Sequence, residues 1–267
     1  MNSLVKDCQS CILAKAKRGK FGQHSNRVPA HYLGEILFFD IAGPITLTKY
    51  SKDNRLRQND VILIAALTKF YGESKYLGVL VDDFSRMKFT VLLATKDEAR
   101  KWLKEKIYAI RNHTGKAVVT LHTDGAGETR SNEFESWCLS EGITHLQTNK
   151  GTSQHNAPAE RAIQTIFNSI RACCIQSNLP SYFWPASCNN CLFSVNLLSR
   201  KVSPNHSSVD GSKPSLELYD NNPVSLSNIK VFGCDVDVFI LPTDREDRIS
   251  PRTNPCIYLG IDSRREN

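Results

Sequence analysis

The chain has 267 residues, and its 34 Lys and Arg against 27 Asp and Glu leave a formal charge of +7 with histidines neutral. A composition of 40% hydrophobic and 23% charged residues suits one or two globular domains with a sizeable core and excludes a disordered or collagen-like chain. The longest uninterrupted apolar run, Val61 to Leu67, is far short of the roughly 20 residues of a membrane helix, so no membrane association is expected.

The opening MNSLVKDCQSC lacks a secretory pattern, so a reducing compartment is expected, with the nine cysteines as thiols or metal ligands. Cys8 and Cys11 form a C-x-x-C pair in a basic segment that continues through Lys15, Lys17, Arg18 and Lys20. Such a pair is half a zinc site, and no paired histidines precede it, so Zn2+ is expected only if the missing histidines are supplied. Residues 1–30 therefore read as the remnant of a zinc module and a basic linker.

The run Glu35 to Ile41, stopped by Gly43-Pro44, predicts a central strand carrying one costly acid, Asp40. Val61–Leu67, Tyr76–Val81 and Lys88–Leu93 predict further strands in an antiparallel meander, the last two joined through Asp82 and Asp83. A helix follows from a cap at Thr95 to about Asn112, with Ala99, Leu103, Ile107 and Ile110 on one face and Gly115 near its stop. Ala117–Thr123 predicts a strand ending at Asp124, where Gly125 and Gly127 allow a sharp turn. Ser131 opens a short helix, Gly142 closes it, and Ile143–Gln147 predicts the next strand. After a polar loop, Pro158 starts a helix to about Gln176 with Glu160 in its first turn. Cys188 and Cys191 fall in an apolar stretch at helical spacing and read as core thiols.

Asp40 on the first strand, Asp124 at a later strand end and Glu160 at a helix start, with 35 residues between the last two, form a D,D(35)E spacing. Taken singly, each acid has an ordinary reading as a turn, cap or helix-dipole residue. Asp82 and Asp83 are rivals that suit a hairpin corner, and Glu128 suits a cap or a DNA contact. The set as a whole resembles the integrases of copia-type LTR retrotransposons. The resemblance rests on FFDIAGPI, GVLVDDFSRMKFTVLL, TLHTDGAGE, SNEF and NAPAERAIQTI, and it extends to DCQSCILAKAKRGK and to NIKVFGCDVDVF and NPCIYLGID. Two departures stand out: Ala157-Pro158 replaces the glycine-containing turn of the family's N-G-x-A-E-R, and residues 49–70 read as an insertion.

The resemblance implies an α/β fold, a ribonuclease-H-like mixed five-stranded sheet flanked by helices, over residues 31–200. A small β-rich extension would occupy 201–267. It implies a polynucleotidyl transferase in which Asp40, Asp124 and Glu160 hold Mg2+ or Mn2+, for 3′-end processing and strand transfer of a linear DNA copy. Two metal ions held by carboxylates can stabilise both the attacking and the leaving oxygens of a phosphodiester. Double-stranded DNA is the implied partner, met by Lys150, Gln154, His155, Asn156 and Arg161 around the last acid, and a homo-oligomer is expected to act in the nucleus after synthesis in the cytoplasm. Two alternatives stay open: an inactive transposon-derived DNA-binding or scaffold fragment, and a free-standing nuclease of the same fold.

Overall fold

Strand β1 (Ile36–Ala42) is buried on both faces because its alternate side chains feed two different cores. In the computed structural model, which describes residues 28–45, 73–124, 131–148, 156–198, 213–226 and 229–260, β1 is the middle strand of five. Strands β2 (Tyr76–Asp82) and β3 (Lys88–Leu93) follow it in antiparallel order on one side. Strands β4 (Thr120–Asp124) and β5 (Thr144–Thr148) lie parallel to it on the other, giving the order β3-β2-β1-β4-β5. The mixed five-stranded sheet expected from the sequence is therefore present. The strand expected at Val61–Leu67 and the insertion at 49–70 lie outside the described residues, as do Cys8 and Cys11.

Two layers of helix cover this sheet, as an apolar strand run with helical crossovers requires. Helix α1 (Glu98–Thr114) turns Ala99, Leu103, Ile107 and Ile110 onto Leu37, Phe39, Leu80 and Leu121, joined by Phe134 and Cys138 of α2 (Asn132–Ser140). That spacing is the period of one helical face. Its N-cap position is Asp97, two residues later than the Thr95 cap expected, and Asp97 has helical backbone angles and makes no side-chain cap bond. Helix α2 begins as expected: the Ser131 hydroxyl accepts the Phe134 N–H at 3.1 Å. Across the sheet, α3 (Ala157–Ser177) and α4 (Trp184–Asn196) bury Ala159, Ala162, Ile166, Ile170, Trp184 and Cys188 against Phe38, Val79 and Val81. Cys188 and Cys191 are core residues, as read from the sequence.

Beyond this layer come the short helix α5 (Ser215–Asp220) and an antiparallel hairpin of β6 (Asp235–Phe239) and β7 (Thr253–Ile257). Gly233, at φ +80°, admits the hairpin's approach to the end of α3, since a Cβ there would stand 2.1 Å from that of Ser177.

Asp82 and Asp83 are fully buried at the β2–β3 corner and act as struts. Asp82 accepts the Gly34 N–H at 2.8 Å, the Ser85 N–H at 2.7 Å and the Ser85 hydroxyl at 2.6 Å. Asp83 accepts the Ala30 N–H at 3.1 Å and pairs with Arg86 at 3.0 Å. The segment entering β1 is thereby fixed to the hairpin. Burial pushes the Asp82 carboxyl up to about 6, against its three hydrogen bonds and with help from the Asp83 charge. A carboxyl whose pKa rises on folding binds protons more tightly in the native state, so its contribution to stability falls as pH climbs from about 4 to 6. Relative to Asp82→Asn, the wild-type chain is expected to lose about 3 kcal/mol across that window, read from denaturant midpoints at each pH.

Candidate active site

The strand register decides where the acids stand. Phe38 pairs with His122 and Phe39 with Thr123 across the parallel β1–β4 ladder, and one further step brings Asp40 beside Asp124. Neighbouring strands lie about 4.8 Å apart. Because side chains alternate along a strand, Asp40 shares the face of Phe38, and Asp124 shares that of His122. Those two rings stack at a centroid distance of 4.5 Å, and Phe38 packs into the core under α3 and α4. Both acids therefore project toward the helix that carries Glu160.

Each side chain has its own surroundings. Asp40 is half-buried, and its Oδ1 accepts the Ile41 N–H at 2.8 Å. Asp124 is exposed at the last position of β4. Glu160 is half-buried in the first turn of α3; partial burial, and after it the negative charge of Asp124, push its carboxyl above the ordinary value, while Arg161 pulls it down. Gly43 at φ +130° closes the end of β1 just past Asp40, where a Cβ would meet the Lys75 carbonyl oxygen at 2.6 Å. Only glycine fits that approach.

Two supports were not visible in the sequence. Asn156, expected among the DNA contacts, is instead 1% exposed, and its Nδ2 donates to the Phe39 carbonyl at 2.9 Å. A side chain spent on the backbone beside Asp40 is withdrawn from any DNA surface, and it also does not cap its own helix. Its Oδ1 is buried and meets no partner among the described residues. The second support lies behind Asp124: His145 Nδ1 is 2.8 Å from Glu135 Oε1, and His145 Nε2 is 2.9 Å from Thr123 Oγ1. An ionised carboxylate can only accept, so a neutral imidazole there carries its proton on Nδ1 and accepts the Thr123 hydroxyl on Nε2. Gln147 also donates to Glu135 at 2.5 Å, which knits β4, β5 and α2 together under the acid.

Arg161 is exposed next to Glu160, with its Nε donating to the Ala157 carbonyl at 3.0 Å. Lys150, Gln154, His155 and Glu128 lie outside the described residues. Among the described residues, no three His, Cys, Asp or Glu side chains are already drawn together as a metal cage. The donor set still suits a hard divalent cation: three carboxylates stand at one sheet end, and burial and then the Asp124 charge raise the cost of ionising Glu160, a cost that a bound cation relieves. No described helix is long and apolar enough to cross a membrane.

Comparison with known proteins gives a consistent set of relatives. Residues 51–153 match the family described as Integrase core domain, a span that includes Asp124 but neither Asp40 nor Glu160. The chain is 27% identical over 264 residues to the retrovirus-related Pol polyprotein from transposon TNT 1-94 of Nicotiana tabacum, covering 96% of this chain and 17% of that polyprotein. It is 21% identical over 186 residues to the corresponding polyprotein from transposon RE1 of Arabidopsis thaliana, covering 70% and 12%. The chain thus spans less than a fifth of the length of these curated relatives. Among solved structures, it is similar to the HTLV-2 integrase catalytic core domain in complex with magnesium (TM-score 0.43, 19% identity, 70% of this chain and 96% of that one). It is similar also to a chain of the simian T-cell lymphotropic virus intasome in complex with PP2A regulatory subunit B56 gamma (TM-score 0.47, 17% identity, 91% of this chain and 74% of that one).

Proposed function

We propose, on the premise that this chain belongs to the integrase core family of retrotransposon Pol polyproteins, that it inserts a linear DNA copy of its element into target DNA. The observation that carries the reading is the register that stands Asp40 beside Asp124 under a helix whose Glu160 already feels the charge of Asp124. These three carboxylates would hold Mg2+ or Mn2+. Bound there, the ions supply positive charge at the scissile phosphate and lower the pKa of an attacking water or 3′-hydroxyl.

The residues divide the remaining work. Asp40 stands within β1, where its backbone pairs with Val79 of β2. Asp124 offers an exposed carboxylate at a strand end that the His145–Glu135 pair holds in place. Glu160 approaches from α3, anchored by Asn156 to the carbonyl just before Asp40. Arg161, with Lys150, Gln154 and His155, would receive backbone phosphates of double-stranded DNA, contacts that orient a strand without reading its bases. Zinc would belong to Cys8 and Cys11 only with histidines supplied from elsewhere. Insertion into chromosomal DNA implies work in the nucleus after synthesis in the cytoplasm, and the pairing of two DNA ends implies a homo-oligomer.

Incubation with a short duplex carrying element-end sequence, a target duplex and Mg2+ or Mn2+ tests the reading. The expected products are a shortened 3′ end and longer joined strands on a denaturing gel. Retention of DNA without any cutting would favour a scaffold, and cleavage of RNA–DNA hybrids without joining would favour a free nuclease.

A further inference from the structure

The C-x-x-C pair on α4 does not pair within its own helix. Cys188 is fully buried, whereas the Cys191 sulfur stands 3.5 Å from that of Cys173, across the seam on α3, and 3.7 Å from the Ser187 hydroxyl. Cys173 is only partly buried, whereas Cys191 behind it is 1% exposed. One partly exposed thiol in contact with one enclosed thiol on a neighbouring element is the arrangement in which an attacking and a resolving cysteine cooperate.

We propose that Cys173 and Cys191 are an oxidation site for small peroxides, closing to a disulfide that clasps α3 to α4. The Cys173 thiolate attacks one oxygen of the peroxide, an S–O bond forms, the O–O bond breaks, and the other oxygen leaves as hydroxide that takes up a proton. The Cys191 sulfur then attacks the sulfenic sulfur of Cys173. The S–S bond forms, the S–O bond breaks, and water departs with the Cys191 proton. Two thiols are oxidised and one hydrogen peroxide is reduced to two waters.

The neighbouring thiols explain why the chemistry centres on this pair. The hydrogen bond from Cys191 draws the Cys173 thiol below its ordinary value, and the same contact together with burial holds the Cys191 thiol up. Burial pushes Cys174 up to about 11, and Cys188 up to about 12, so neither supplies a competing thiolate. A disulfide is about 2.05 Å long, so the two sulfurs need to close by about 1.5 Å, a change that side-chain rotation can supply. Glu160 lies near the opposite end of α3, so the clasp grips the helix far from the acids.

The full-length chain, reduced and then freed of reductant, is treated with hydrogen peroxide and mapped by non-reducing peptide mass spectrometry. A cross-linked peptide joining Cys173 to Cys191 is expected, reversed by a thiol reductant, with a rise in thermal midpoint of roughly 5–10 °C. Cys173→Ser should lose the cross-link, and Cys174→Ser should keep it. Both cysteines remaining thiols, Cys173 over-oxidised without a cross-link, or a disulfide between Cys188 and Cys191 would each overturn the proposal. The readout needs no DNA activity, so it stands or falls apart from the integrase reading.

Discussion

Asp124→Asn is expected to abolish metal-dependent cutting and joining of DNA, by about a thousand-fold or more, while leaving DNA retention within about two-fold. The substitution keeps the shape of the side chain and removes one negative charge. A carboxylate that neutralises a divalent ion at the scissile phosphate contributes several kcal/mol to transition-state stabilisation, and each 1.4 kcal/mol is about ten-fold in rate. Folding should survive, because Asp124 is exposed at a strand end and the residues that hold that strand are Thr123, His145 and Glu135. Gel analysis of end processing and strand transfer, alongside filter retention of labelled duplex, separates the two effects. Asp124→Asn should also let the Glu160 carboxyl fall toward its ordinary value, since the Asp124 charge is one of the causes that raise it.

Asn156→Ala should slow strand transfer by roughly a hundred-fold, with little change in the DNA concentration needed for half-maximal rate. Its amide is the link between the first turn of α3 and the carbonyl of Phe39, one residue before Asp40. Releasing it leaves Glu160 on a helix whose start is no longer registered to β1, and a misplacement of about 1 Å at a reacting centre can cost about 10²-fold. The same change removes a buried hydrogen bond, so an equilibrium loss of about 1–3 kcal/mol is expected in denaturant unfolding. A purely structural role would lower stability and leave the turnover of the folded fraction untouched, which steady-state rates corrected for folded protein distinguish. Asn156→Asp should behave like the alanine variant, since an ionised carboxylate cannot donate to a carbonyl.

Local patterns carried much of this fold. The apolar run in Ile36–Ala42, the 3.6-residue stripe in α1, the Ser131 cap and Pro158 at the start of α3 each follow from short-range chemistry, and each lies within a few residues of its expected place. The spacing of Asp40, Asp124 and Glu160 was equally legible, because it needs only an acid within a strand, another at a strand end and a third at a helix start. What escaped were pairings across long stretches of chain. Asn156 and Phe39 are 117 positions apart, and nothing in NAPAER announces that this asparagine turns inward. His145, one polar residue in an alternating strand, gains meaning only once α2 lays Glu135 against it. Cys191 was read with Cys188 simply as a core thiol, and nothing in the sequence announces that the sulfur facing it belongs to Cys173 on another helix. The Asp82 and Asp83 corner was read as a turn; its deeper role, gripping the backbone at Ala30 and Gly34, depends on an approach that sequence alone does not encode.

Convergence of Asp40, Asp124 and Glu160 on bound divalent metal can be tested without any DNA chemistry. Fe2+ substituted for Mg2+, with ascorbate and peroxide, generates hydroxyl radicals that cut the backbone next to the ion. Cuts clustered around residues 40, 124 and 160, suppressed by excess Mg2+ and lost in Asp124→Asn, are predicted. Cuts elsewhere, or a pattern indifferent to Mg2+ and to Asp124→Asn, would contradict a shared metal site at these three carboxylates.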